Sequence, residues 1–113
     1  MNGKLVLKIG SVLIFLIMTI VTIRTSLTVS LWAAWPGYAA NPWAVATLYD
    51  AYCGFTLFWF WVAYRETSWT LRIVWLVLIY GLGNIATAAY VFLAVSQLKQ
   101  EETLAGLFER RST

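Results

Sequence analysis

Three long apolar stretches alternate with short polar segments along this chain. The first runs from residue 5 to residue 23, the second covers residues 43–64 and the third covers residues 73–95. A helix needs roughly 20 mostly apolar residues to cross a hydrocarbon layer about 30 Å thick. The pattern therefore predicts an all-α membrane protein of one domain, residues 1–113, with three transmembrane helices at these positions.

The segment between the first two stretches reads as a loop. Residues 24–42 contain Pro36, Gly37 and Pro42, which interrupt regular helix. The apolar run 31–35 within the segment is too short for a fourth span and indicates a loop that lies in the membrane interface.

The C-terminal segment, residues 97–113, is predicted to be a short polar tail. Its apolar residues Leu104, Leu107 and Phe108 have the spacing of one helical face, so a short interfacial helix is one interpretation. A frayed tail is the other.

Composition places the chain outside the soluble norm. Hydrophobic residues make up 61% of it and charged residues only 12%, whereas soluble domains are about one quarter charged. The net charge of +3 is spread thinly and forms no basic stripe, so nucleic acid is not expected as a partner. There is no histidine and only one cysteine, which excludes a His/Cys zinc site, a serine–histidine triad and an internal disulfide. We expect a non-enzymatic protein, and no cofactor is predicted.

The first apolar stretch has two interpretations. Lys4 and Lys8 precede it, as in a signal peptide. Arg24 follows it directly, however, and no small-x-small cleavage site comes after it. We expect an uncleaved membrane anchor.

The distribution of lysine and arginine around the predicted spans gives the orientation. Three spans place the N-terminus and the second loop on one side, with Lys4, Lys8, Arg65 and Arg72, and the first loop and tail on the other, with Arg24, Lys99, Arg110 and Arg111. The last two arginines are far from the third span, and the N-terminal pair dominates the first helix. The expected topology is a multi-pass protein with the N-terminus cytoplasmic and the C-terminus outside.

Asp50 is the one acidic residue inside a predicted span. An ionised aspartate near the centre of a spanning helix costs roughly 2.5–3.5 kcal/mol, so it should be protonated or paired. Arg24, at the end of the first span, is the expected partner. The pair would then form a structural clamp between the first two helices; the alternative is that Asp50 accepts a proton, a cation or a ligand.

Asn84 is the second polar residue at depth. It shares a helical face with the small residues Gly81 and Ala88, which allow another helix to approach closely. Asn84 is expected to join helices by a hydrogen bond, or else to line a polar pocket with Asp50.

Aromatic side chains cover much of the second predicted helix. They are expected to contact lipid or another subunit, and docking of a quinone or a pigment is the alternative. The residues of this aromatic contact surface are Tyr49, Tyr52, Phe55, Phe58 and Trp59.

Three blocks of sequence resemble a known family. They are residues 41–52 (NPWAVATLYDAY), 61–69 (WVAYRETSW) and 81–88 (GLGNIATA). In this order they resemble small multi-pass membrane proteins known as domain of unknown function fourteen seventy-five. The family pattern has an aspartate and an asparagine at the positions of Asp50 and Asn84. The resemblance implies a multi-pass membrane architecture and carries no activity with it.

Three functions remain in view from the sequence. The leading expectation is an accessory or structural subunit of a larger membrane complex, bound to other membrane subunits and to the lipid bilayer. The second is a small oligomeric transporter or ion-coupled carrier that uses Asp50. The third is a lipid-, quinone- or pigment-binding module.

Overall fold

The chain is all-α, as predicted. The computed structural model describes residues 3–98 and 102–109. In chain order it contains α1 (Gly3–Thr28), α2 (Leu31–Ala39), α3 (Pro42–Arg65), α4 (Trp69–Leu82), α5 (Asn84–Ser96) and a 3-10 helix (Leu104–Phe108).

The predicted first loop is largely helical, which corrects the sequence analysis. α1 continues five residues beyond its predicted end, and α2 occupies half of the expected loop. Ser30 caps the start of α2, because its hydroxyl accepts a hydrogen bond of 3.1 Å from the Ala33 amide. Pro36 lies inside this helix, where its missing N–H removes only one internal hydrogen bond.

α3 coincides closely with the second apolar stretch. Asn41 caps its start by accepting hydrogen bonds from the Trp43 and Ala44 amides, at 3.0 and 3.3 Å. Pro42 follows at the first helical position, where a proline loses no helical hydrogen bond. Local sequence therefore fixes this helix start.

The third predicted span is not one helix. Gly83 has a φ of 62° and separates α4 from α5, and α5 turns back beside α4. The rings of Trp75 and Tyr90 consequently meet at 4.9 Å. With 14 and 13 residues, α4 and α5 are about 21 and 20 Å long, so neither crosses a 30 Å layer alone.

The helices define two ends of the molecule. The basal end contains the start of α1, the turn between α3 and α4, and the 3-10 helix; the apical end contains α2. α1 packs antiparallel along α5, while α3 packs on α4. A methyl group added to Gly3 would come within 2.8 Å of the Leu104 side chain, so residues 102–109 lie at the basal end with the start of α1. The expectation that the tail lies opposite the N-terminus is wrong for these residues, and Lys99, Arg110 and Arg111 are outside the described part of the chain.

Within the described residues, α1 alone is both long and apolar enough to cross a membrane. α3 has sufficient length, about 36 Å, but Asp50 and its tyrosines and tryptophans lower its mean hydropathy. Three transmembrane helices are therefore not supported. The core lies where α3, α4, α5 and the 3-10 helix meet, and its buried members include Val62, Ile79, Ala86, Ala94 and Val95.

Candidate functional site

A buried polar cluster lies in the basal half of the fold. Arg65, the last residue of α3, and Glu66, which follows it, are only 4% and 2% exposed. The Tyr90 hydroxyl of α5 donates to Glu66 Oε2 at 2.8 Å and accepts from Arg65 Nη1 at 3.1 Å. One tyrosine thus bridges two oppositely charged groups that α3 brings into the interior. We name these three residues the basal cluster.

Aromatic rings enclose the basal cluster. The Tyr90 ring meets the rings of Phe58, Trp61 and Trp75 edge to face, with centroids 6.0, 5.4 and 4.9 Å away. The Arg65 guanidinium lies 5.6 Å from the Trp61 ring centroid, within range of a cation–π attraction. This apolar cage shields the hydrogen bonds from solvent and strengthens them. Arg65 Nε, however, is buried without an acceptor in residues 3–98 and 102–109.

A second arginine closes the end of α3. Arg72 Nε donates to the carbonyl oxygens of Ala63 and Glu66, at 2.8 and 2.9 Å. The Ala63 carbonyl belongs to the last turn of α3 and the Glu66 carbonyl to its C-cap residue, so neither has an N–H donor within the helix. Trp59 Nε1 donates in turn to the Arg72 carbonyl at 2.8 Å, which joins α3 to the start of α4.

The 3-10 helix is held over the same end. Trp61 Nε1 donates to the Leu107 carbonyl at 2.8 Å, and the Leu107 side chain is buried in the core. The short-helix interpretation of this segment is therefore confirmed for residues 104–108. Together these hydrogen bonds join α3, α4 and the 3-10 helix in the basal half.

The structure does not join Arg24 to Asp50. Both side chains are exposed, and no ion pair or hydrogen bond links them in the described chain. α1 packs mainly along α5, whereas α3 packs mainly on α4 and α2. The clamp expected from the sequence is absent.

Asn84 is the first residue of α5 and lies at the hairpin turn. Its Oδ1 accepts a hydrogen bond of 3.1 Å from the Thr87 hydroxyl. It also lines an open apolar cleft of about 630 Å³ between α1 and α5, with Phe58 of α3 on one wall. Asn84 therefore faces this cleft, while Asp50 lies outside its lining.

The five residues of the aromatic contact surface have different surroundings. Tyr49 remains 71% exposed. Tyr52 donates from its hydroxyl to the Tyr80 carbonyl at 2.7 Å, and Phe55 packs against the Tyr52 ring. Phe58 and Trp59 make the contacts with Tyr90 and Arg72 described above. Most of this surface thus holds α3 to the α4–α5 hairpin.

Comparison with known proteins places this sequence in a family. The sequence profile of the family described as "Protein of unknown function (DUF1475)" matches residues 8–107. The chain belongs to the DUF1475 family. No curated protein and no solved structure matches the DUF1475 chain at a significant level. Family membership, which the three sequence blocks predicted, is confirmed.

Sequence reasoning missed Tyr90 of this DUF1475 protein. Arg65 and Glu66 are visible in the sequence as charges at the end of a predicted helix, but their common partner is 24 positions beyond Glu66. The available signal was the Gly83–Asn84 pair inside an apolar run, since a glycine next to a polar residue in such a run indicates a break in the helix. With that break, Tyr90 returns to the level of Arg65.

Proposed function

We propose that this DUF1475 protein is an integral membrane protein and a non-enzymatic accessory subunit of a larger membrane assembly. α1 and α3 cross the bilayer, and the α4–α5 hairpin enters from the basal end and returns to it. Hydrogen bonding within each helix satisfies the backbone at depth, and the hairpin turn is sheltered beside Phe55 of α3.

One observation carries the membrane assignment. Only 6% of the apolar segment of α1 is buried within the fold, although the helix is long enough to span a bilayer. Side chains such as Leu13, Ile17 and Ile20 are more than half exposed. Soluble monomers rarely expose so continuous an apolar surface, so lipid or a partner covers it.

The basal end is assigned to the cytoplasm. Of the five lysines and arginines in residues 3–98 and 102–109, four lie toward this end: Lys4, Lys8, Arg65 and Arg72. Basic residues near span ends favour the cytoplasmic side. We therefore propose that the N-terminus is cytoplasmic, as expected from the sequence, and that residues 102–109 are on the cytoplasmic side as well.

The role of α1 as a permanent anchor is supported by its packing. Ser11 is buried, and its hydroxyl donates to the Leu7 carbonyl at 2.6 Å. The small residue Ala88 of α5 faces this part of α1 and is 5% exposed. Removal of α1 as a signal peptide would uncover α5. Intact mass of the mature protein tests this, and a mass lacking α1 would contradict it.

An accessory role is supported by the apolar surface of the apical half. Trp32 of α2 and Trp43 at the start of α3 are 83% and 82% exposed. Large aromatic side chains are enriched in protein interfaces and in the lipid headgroup layer. These side chains form the surface that we assign to a partner subunit.

Purification from native membranes tests the proposal. The protein should stay in the membrane pellet after an alkaline wash and should migrate in mild detergent with at least one other membrane protein. Trp43→Ala should weaken that association, whereas Tyr64→Ala, an exposed aromatic at the basal end of α3, should not. Release by the alkaline wash would contradict membrane insertion, and migration as a lone monomer would contradict the accessory role.

The cleft between α1 and α5 favours a second candidate function, lipid binding. Its lining is almost entirely apolar, and Asn84 and Thr87 supply polar groups at one end. Its volume of about 630 Å³ is that of an ordinary small-molecule site. A single lipid or isoprenoid chain fits this chemistry.

Filling the cleft tests that candidate. Gly10 lines it, and a side chain added there meets open space, so Gly10→Leu should displace a bound chain without a steric clash. Gly54→Leu, also in open space but away from the cleft, is the matched control. Lipids extracted from the three purified proteins are compared by mass spectrometry, and equal lipid content in all three would exclude this function.

A further inference from the structure

We propose that Arg72 and Trp69 form a binding site for the phosphate group of a membrane phospholipid at the basal end. This inference rests on the proposed membrane insertion. It concerns a site at the start of α4, which adjoins the basal cluster through the Glu66 carbonyl and is separate from the α1–α5 cleft.

The orientation of Arg72 is fixed before any ligand arrives. Its Nε donates to the Ala63 and Glu66 carbonyls at 2.8 and 2.9 Å, which sets the plane of the guanidinium. Side chains on a helix point back toward its N-terminus, and the Arg72 guanidinium accordingly lies 4.6 Å from the Trp69 ring centroid, one turn earlier. Such a preorganised arginine loses little conformational entropy on binding an anion.

Arg72 keeps donors available. Nη1 and Nη2 make no hydrogen bond within residues 3–98 and 102–109, and the side chain is only half-buried. Paired N–H groups of one guanidinium match two oxygens of a phosphate, which makes arginine the usual residue for such recognition. Arg65 does not compete for the ligand, because it is 4% exposed and donates to Tyr90.

The position of the site favours a phospholipid as the source of the phosphate. Trp69 is 67% exposed beside the guanidinium, and exposed indoles favour the headgroup layer of a bilayer. Arg72 lies in the first turn of α4, directly before the apolar residues Ile73 and Val74, which are 54% and 44% exposed. A phospholipid whose phosphate group binds Arg72 would thus place its acyl chains beside the apolar surface of α4.

Native mass spectrometry of the purified protein with added phosphatidylglycerol tests the inference. Arg72→Gln should weaken lipid binding about fivefold, the usual effect of one basic residue at a membrane surface. Trp69→Ala, which leaves the Arg72–carbonyl contacts in place, should weaken it about threefold through loss of the cation–π contact. Arg24→Gln is the control, since Arg24 is also exposed and lies toward the apical end; it should bind like the unaltered protein.

The outcomes separate this inference from the proposal beneath it. Circular dichroism checks that Arg72→Gln and Trp69→Ala are folded. If both folded variants bind phosphatidylglycerol like the unaltered protein, the proposed site is wrong while membrane insertion stands. Displacement of the lipid by equimolar inorganic phosphate would show a free-anion site and overturn the phospholipid assignment. If the unaltered protein leaves the membrane in an alkaline wash, both proposals fail.

Discussion

The ring of Tyr90 lies 4.9 Å from the ring of Trp75, edge to face at 80°. In one straight helix, residues 15 positions apart would be about 22 Å apart. The contact therefore shows that the apolar run 73–95 folds back on itself. Through this reversal residues 102–109, the start of α1 and the α3–α4 turn lie at the same end of the molecule.

The hairpin depends on glycine at position 83. Its φ of 62° is unfavourable for any other residue, and an added Cβ would lie 3.1 Å from the Phe55 ring. Gly83→Ala should lower the free energy of unfolding by about 1–3 kcal/mol. Gly81→Ala, inside α4 and facing open space, should leave it unchanged or raise it slightly. Thermal unfolding in detergent compares the two, and equal effects would show that the turn does not require glycine.

Loss of the Tyr90 hydroxyl alone should lower the stability of the protein. Tyr90→Phe removes the donor to Glu66 and the acceptor of Arg65 within a buried site. Removing a partner from buried charged groups costs about 1–3 kcal/mol. Tyr49→Phe is the matched control because that hydroxyl is exposed. Loss of stability in both variants to the same extent would contradict a structural role for the basal cluster.

Arg24 and Asp50 should behave independently. With both side chains exposed and unlinked, Arg24→Ala and Asp50→Ala should have additive effects on thermal stability, within about 0.5 kcal/mol. The sequence alone predicts the opposite, a double variant that recovers part of the loss. If the double variant is more stable than the sum of the two single effects by more than about 1 kcal/mol, the two residues interact and the predicted clamp exists.

Trp61 should hold the 3-10 helix in place. Trp61→Phe removes the hydrogen bond to the Leu107 carbonyl but keeps an aromatic ring. Amide hydrogen exchange in residues 104–108 should rise about fivefold, the equivalent of one hydrogen bond of about 1 kcal/mol. Trp43→Phe, at the apical end and 82% exposed, should not change it. Unchanged exchange in Trp61→Phe would mean that the Leu107 side chain alone holds the segment.

Sequence reasoning located the elements whose signals are local. The start of α3 is encoded by Asn41 and Pro42, a capping residue and a residue suited to the first helical turn. The length of the apolar run 5–23 predicted the position of α1. Such signals depend on neighbours along the chain, so a single sequence contains them.

The rest depended on contacts between distant residues. Pro36 and Gly37 read as breakers, yet the Ser30 cap and packing of α2 against α3 keep them helical. Apolarity alone could not divide residues 73–95, because a buried hairpin and a single span have the same composition. The Arg24–Asp50 pair was inferred from depth in adjacent spans, and it failed because α1 packs on α5 instead.

Topology mapping with cysteine probes tests the membrane account most directly. In a Cys53→Ser background, single cysteines replace Gly37 in α2, Thr67 in the α3–α4 turn and Thr103 before the 3-10 helix, all of them exposed. A membrane-impermeant thiol reagent is applied to sealed vesicles of each orientation. We expect positions 67 and 103 to react in the same vesicles and position 37 in the opposite ones. Reaction of position 103 together with position 37 would contradict the returning hairpin and restore three membrane-spanning helices.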